Sequence, residues 1–337
     1  MPRLKHSIKV HTLALDLGLK PSENPVDTIV ALCDKRVVKT LREFRDCNQP
    51  SDLLTILAQK HSTTFEIINN DEDLAKIKDK YLKAGERWFV RLEEELPHNV
   101  YGITIKRLSR QPWDPQYVSI IDARGSKAFK ANHTKWHELG HLLVMTDQTR
   151  LHFNRTFCTQ DDKDPEESLV DVVAGYFEYW PKFFAGKLRD KISFQKIEDL
   201  RSTICPEASK YSAILGLTKL WPTPCILIEA RLEYKKQDRK QLNQQSFGFK
   251  DQPQKALRVT SVTINNAARD CGIRFHQNWR VPTKSVIAKV FHDGLATGSA
   301  KENLCWWETS TGQRLHPCNI EVHAKLNSDS VQALLIP

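Results

Sequence analysis

Two histidines four residues apart, with a glutamate beside the first, constrain this chain more than any other feature: His137-Glu138-Leu139-Gly140-His141. On a helix, positions four apart stand one above the other, so both imidazoles point the same way and can share one metal ion. Glu138 lies about 100° further round, beside such an ion and not under it. The opposite arc carries Trp136, Leu139, Leu142 and Leu143, an apolar backing that seats the helix in a core.

Such a pair needs a third protein ligand, and catalytic zinc keeps its fourth position for water. Downstream, Asp164 is a suitable N-cap and Pro165 a suitable first helical residue, so a second helix is expected from there to just before Pro181. On it Glu167, Asp171 and Ala174 share one face, while Leu169, Val172, Val173 and Tyr176 line the other. Glu167 is the expected third ligand and Glu166 its competitor. Asp171, one turn on, is the expected acceptor that fixes a ligand imidazole. The donor set suits Zn2+, with Mn2+ as an alternative occupant.

At 337 residues the chain is long enough for two or three domains with a real core, and its composition is that of an ordinary globular protein. The net charge of +9 would draw acidic partners or nucleic acid, yet Lys and Arg are spread widely and read as a solvated surface. The eight cysteines show no ligand spacing. There is no N-terminal apolar leader and no apolar run near twenty residues. These features together lead us to expect a soluble, cytoplasmic protein with free thiols and no membrane contact.

In chain order, the first twenty-five residues are basic and irregular and read as a loosely packed arm. Helical periodicity runs from Val26 to about Phe44, and Ser51-Asp52 opens a second helix. Phe65 to Ile68 looks like a short strand. Asp71 to Leu96 is a long charged helical stretch whose buried stripe is Leu74, Ile77, Tyr81, Trp88 and Leu92. Gly102 to Lys106 and Tyr117 to Ile121 alternate with a period of two and read as paired strands around a Pro-Trp-Asp-Pro turn. The strand directly before the metal-site helix is expected to offer a free edge on which an extended peptide could add as a further strand.

Beyond Pro181, Phe194 to Ile204 and Ala208 to Trp221 have helix-turn-helix length and spacing, though the second helix offers only Lys210 and Lys219 as bases. Cys225 to Ile228 reads as a buried strand. Tyr234 to Gln254 shifts to Lys, Gln, Asp and Asn and reads as a linker and domain boundary. The rest reads as a small α+β unit: strands at Leu257 to Val262, Leu304 to Glu308 and Ile320 to His323, and a helix from Lys284 to His292. Its His276, His292, His316 and His323 are scattered and read as surface or core residues.

Together these residues carry a resemblance. Val118-Ser119-Ile120-Ile121, then Thr134 to Leu143 around the paired histidines, then Glu167, Asp171 and Ala174 with a closing Pro181, resemble the ImmA/IrrE family of regulatory zinc metallopeptidases. Ser212 to Thr218 running into Pro222-Thr223-Pro224-Cys225-Ile226 resembles that family's helix-turn-helix-like segment, and Val281-Pro282-Thr283 the entry to its GAF-like domain. Three features depart from the family pattern. His133 stands where Phe is usual, Asp71 to Leu96 is an apparent insertion, and Asp171 replaces the commoner Asn. His133 reads as a residue of the helix start, with a polar neighbour of the site as the other reading.

The resemblance implies an α+β fold. It comprises a mostly helical zincin-like metallopeptidase domain with a small sheet, a helix-turn-helix-like segment and a small α+β GAF-like domain. The corresponding division is 1–50 for an N-terminal arm and helix, 51–190 for the peptidase, 191–233 for the helix-turn-helix-like segment, 234–254 for the linker and 255–337 for the last domain. It also implies a site-specific zinc endopeptidase whose protein substrate is a helix-turn-helix transcriptional repressor, so that cleavage releases stress-response or mobile-element genes. In that chemistry His137, His141 and Glu167 hold zinc, Glu138 is the general base, and His152, Tyr117, Tyr176 and Arg155 are candidate oxyanion donors. Two other classes stand beside it: a zinc-containing regulatory module that binds a repressor or toxin without cutting it, and a DNA-binding regulator using 194–221.

Overall fold

The structure is a computed structural model. It describes residue 4, residues 6–44, 46–144, 164–235, 238, 254–309 and 312–337, and the backbone alone of 152–156. The chain divides into two compact units, Met1–Phe184 with Leu200–Ala213, and Ala185–Asp199 with Ile214–Pro337.

Helices described early in the first unit are α1 (Ile8–Asp16), α2 (Pro25–Leu41) and α3 (Pro50–Lys60). The expected loose arm is therefore in part a helix. Val10 and Ala14, one turn apart, are buried, and α1 packs on α2. Proline occupies the first turn of α2 and α3, and the Asp52 side chain reaches back to the Gln49 backbone in a capping box.

β1 (Thr63–Ile68) leads to α4 (Asp71–Lys83), capped by Asn70, whose side chain accepts from the Asp73 amide. The charged stretch does not continue as one helix. Gly85 at φ +85° turns the chain, and a 3-10 turn at Arg87–Arg91 and a short helix at Leu92–Glu95 follow. The stripe Leu74, Ile77, Tyr81 and Leu92 is buried as expected. Phe89 is fully buried with it, and Trp88 is the partly buried member.

β2 (Val100–Lys106) and β3 (Tyr117–Asp122) pair antiparallel, and β1 joins β3 parallel. After α5 (Ala131–Val144), β4 (His152–Thr156) pairs with β2, giving a four-stranded sheet in the order β1-β3-β2-β4. β3 is thus flanked on both sides, and the free edge expected of it does not exist. The outer strands are β1 and β4.

The period of two splits the sheet into two faces. Ile103, Ile105, Val118 and Ile120 face the core formed with Leu74, Ile77, Tyr81 and Phe89. Gly102, Thr104 and Ser119 lie on the other face, and α5 packs against β2 and β3. α6 (Pro165–Glu178) packs in turn on α5.

α7 (Phe194–Ile204) and α8 (Lys210–Leu220) form where helix-turn-helix spacing placed them. Residues 200–213 belong to the first unit and 185–199 and 214–233 to the second, so 191–233 is not a separate body.

In the second unit β5 (Ile226–Glu233) pairs with β6 (Ala256–Ile264) across the segment expected to be a boundary. Both flanks of 234–254 therefore lie in one sheet, and most of that segment is outside the described residues. A short helix α9 (Asn266–Asp270), α10 (Val286–His292), β7 (Thr297–Asn303), β8 (Asn319–Asn327) and β9 (Ser330–Ile336) complete it, with sheet order β6-β5-β9-β8-β7. The expected strand at Leu304 to Glu308 is instead a 3-10 turn at Leu304–Trp306. Asn303 accepts from the Cys305 amide there and bends the chain, which buries Trp307. β7 and β9 were not foreseen. β7 is mostly polar at an edge, and β9 is buried at every position and so does not alternate.

Candidate metal centre

The two histidine rings and one carboxylate converge on a single point. His137 Nε2 and His141 Nε2 lie 3.2 Å apart. Glu167 Oε2 lies 3.1 Å from His137 Nε2, and its Oε1 lies 3.3 Å from His141 Nε2. Tetrahedral zinc with bonds of about 2.0–2.1 Å requires ligand atoms roughly 3.3 Å from one another. The two nitrogens and the nearer carboxylate oxygen on each side stand at about that spacing. Taking one atom from each residue, all three lie within 4.8 Å of one another, so among the described residues this group could hold a metal ion.

The tautomer supports the same conclusion. His137 Nδ1 lies 2.7 Å from Asp171 Oδ1, and an ionised carboxylate only accepts, so Nδ1 carries the proton and Nε2 presents a lone pair. Lone pairs of buried nitrogen and carboxylate oxygen directed at one point repel unless a cation lies between them.

Local sequence explains how the helices reach this arrangement. Gly140 lies where α5 crosses α6: a Cβ there would meet Val170 Cγ1 at 3.0 Å, so glycine lets the helices approach closely enough for Glu167 to reach the histidines. Asp164 caps α6, accepting from the Glu166 amide, and is ion-paired with Lys9 of α1. Glu167, not Glu166, faces the rings. On α6 the buried positions are Leu169, Val170, Val173, Ala174, Phe177 and Glu178. Val172 and Tyr176 of the expected stripe are only half-buried.

Glu138 is fully buried against β2. Thr104 Oγ1 donates to its Oε2 at 2.8 Å, and Ser119 Oγ lies 2.7 Å behind Thr104 Oγ1. Because Thr104 uses its only proton on the carboxylate, Ser119 donates to Thr104. Thr63 Oγ1 stands behind Ser119 at 3.4 Å. The other oxygen, Oε1, has no hydrogen-bond partner among the described residues. Gly102 makes room for it, since a Cβ there would fall 2.6 Å from Thr134 Cγ2 and 2.9 Å from Glu138 Oε1. Burial raises the Glu138 carboxyl above its ordinary value, with His137 and His141 opposing that shift.

The oxyanion candidates fare differently. Tyr176 does not remain free, because its hydroxyl donates to Asp34 of α2, which also receives Trp180 Nε1. Tyr117 opens β3 opposite Thr63 and Lys106, two residues before Ser119. His152 and Arg155 lie on β4, and their side chains fall outside the described residues.

His133 is not merely a helix-start residue. Its Nδ1 lies 2.8 Å from Glu178 Oε2 and its Nε2 3.9 Å from Asp171 Oδ1, which makes it a polar neighbour of the site. Reasoning from sequence also missed Thr104, Ser119, Glu178 and Ser212. The one available signal was a further histidine a full turn before His137.

The chain matches no known family model, and no curated protein matches it. No helix among the described residues is long and apolar enough to cross a membrane.

Proposed function

We propose that the chain is a zinc-dependent, site-specific endopeptidase. The observation that carries this reading is the pairing of a His-His-Glu cluster close enough to hold one metal ion with a neighbouring buried carboxylate that is anchored at one oxygen and has no partner among the described residues at the other. A metal centre that only stabilises the fold needs no such group, whereas hydrolysis needs a proton acceptor beside the metal. A zinc ion there would supply a Lewis acid and draw the pKa of water toward neutrality, with Mn2+ as the alternative occupant.

The chain's own residues take the remaining roles. His137, His141 and Glu167 are the ligands, and Asp171 orients the His137 ring through Nδ1. Glu138 takes a proton at Oε1 and later returns it to the leaving amine, while Thr104 keeps Oε2 out of the reaction. Tyr117 stays a candidate oxyanion donor, and so do His152 and Arg155. The substrate class comes from the motif's resemblance to the ImmA/IrrE family: a helix-turn-helix transcriptional repressor whose cleavage turns on a stress-response or mobile-element regulon.

The test incubates the purified full chain, with zinc and with chelator, against helix-turn-helix repressors encoded in the same genome and reads the products by mass spectrometry. One discrete cut is expected, present with zinc and absent with chelator or with Glu138→Gln. Tight binding of the repressor without any cut would overturn the enzymatic reading in favour of a non-proteolytic zinc module. Binding to duplex DNA with a steep salt dependence, again without a cut, would favour a DNA-binding regulator.

A further inference from the structure

The metal centre occupies two rungs of a longer ladder. His133, His137 and His141 stand at successive turns of α5, and Glu167, Asp171 and Glu178 run along α6. The two helices pair these residues in opposite order. His141 meets Glu167, His137 meets both Glu167 and Asp171, and His133 meets both Asp171 and Glu178. Three imidazoles on one helix face three carboxylates on the other, and the proposed metal uses only the lower part.

We infer that His133 and Glu178 are a positioning pair for the metal centre, fixing the Asp171 carboxylate that orients His137. This inference rests on the metal-binding reading above. Asp171 is the exposed link in the arrangement, with its side chain about a third open to solvent at 32%. A carboxylate exposed to that degree loses rotamer entropy whenever it holds the imidazole, which weakens its hold on the ring. His133 closes one side of it, with Nε2 at 3.9 Å from the same oxygen that serves His137.

His133 is itself fixed from behind. Glu178 is 1% exposed, and its Oε2 lies 2.8 Å from His133 Nδ1. Ser212 Oγ in the first turn of α8 donates to the same oxygen at 3.0 Å, and Asn132 Nδ2 donates to Oε1 at 3.0 Å. A buried carboxylate with three partners cannot swing, because any movement would leave a buried polar group unsatisfied. Rigidity thus passes from Glu178 through His133 to Asp171 and so to the ligand ring. The same line reaches α8 at Ser212.

The experiment measures zinc affinity of the full chain by competition with a chromophoric chelator, with the visible absorption of the Co2+ form as a second readout. Thermal unfolding of each metal-free protein separates loss of fold from loss of site. His133→Asn and Glu178→Gln are each expected to weaken zinc binding about 3- to 10-fold and to shift the Co2+ bands. Asp171→Ala, which removes the direct partner, is expected to lose roughly 10- to 100-fold. Wild-type affinity and bands in a folded His133→Asn overturn the inference, and that variant decides alone if Glu178→Gln does not fold. A wild-type chain that takes up neither zinc nor cobalt overturns the metal reading itself, and this inference with it.

Discussion

Thr104 Oγ1 donates to Glu138 Oε2 at 2.8 Å, deep in the first unit, while the second carboxylate oxygen has no hydrogen-bond partner among the described residues. The donor belongs to a strand and the acceptor to a helix, so the contact records how the sheet orients the Glu138 carboxylate. Ser119 on the adjacent strand β3 and Thr63 on β1 beyond it extend the same line of hydroxyls. Thr104→Val is expected to leave zinc content unchanged and to lower turnover of the repressor about 10-fold or more. Thr104→Ser should recover most of it. Equal rates for Thr104→Val and the parent would remove the anchoring role.

Gly102→Ala tests the space around Glu138. The new methyl would meet Thr134 Cγ2 and Glu138 Oε1 well inside contact distance. It is expected to destabilise the chain by about 1–3 kcal/mol in chemical denaturation. Turnover should fall further than that loss explains, because the methyl displaces the open oxygen. An unchanged denaturation midpoint would show that the backbone yields at no cost.

Removing the metal should be visible as lost stability. A ligand that binds only the folded state at about 1,000 times its Kd adds about 4 kcal/mol. Wild-type protein is therefore expected to melt at a higher temperature with zinc than with chelator. His141→Ala and Glu167→Ala should melt at the same temperature in both, with zinc below stoichiometric content by elemental analysis. A full zinc complement in His141→Ala would remove its ligand assignment.

Tyr176→Phe separates a scaffold role from a catalytic one. The hydroxyl donates to Asp34, and burial raises it to about 12. The variant is expected to lose about 1 kcal/mol of stability and to keep full turnover. A hundredfold fall in turnover with intact zinc would return Tyr176 to the oxyanion site.

Acid should act through Asp122, at the end of β3 just before the turn into α5. Burial pushes its carboxyl upward, but Arg124 and Lys127 outweigh that and hold it below its ordinary 3.8. A carboxyl lowered in the folded state stabilises the fold above its unfolded pKa and ceases to as pH falls through the folded value. Wild-type stability should thus decline as pH falls below about 4. Asp122→Asn should be less stable at pH 7 by about 3 kcal/mol and should show a flatter decline. Identical acid profiles for the two proteins would contradict this assignment.

The sequence by itself determined what depends on neighbours along the chain. The spacing of His137 and His141 places two imidazoles on one helix face, and Asp164-Pro165 starts the helix that carries Glu167 and Asp171. Both are local consequences of 3.6 residues per turn and of end capping, and both were legible before any coordinates. Only the tertiary structure decided what meets those helices. Thr104, Ser119 and Thr63 come from three strands whose register nothing local reports, and Glu178 reaches His133 because Gly140 brings two helices close. The same reason explains the errors. β9 does not alternate because both faces are buried, β3 has no free edge because β1 and β2 flank it, and β5 joins β6 across a polar segment that reads as a boundary. Strand pairing is a long-range contact, and a period along one segment carries no information about which other segment will lie beside it.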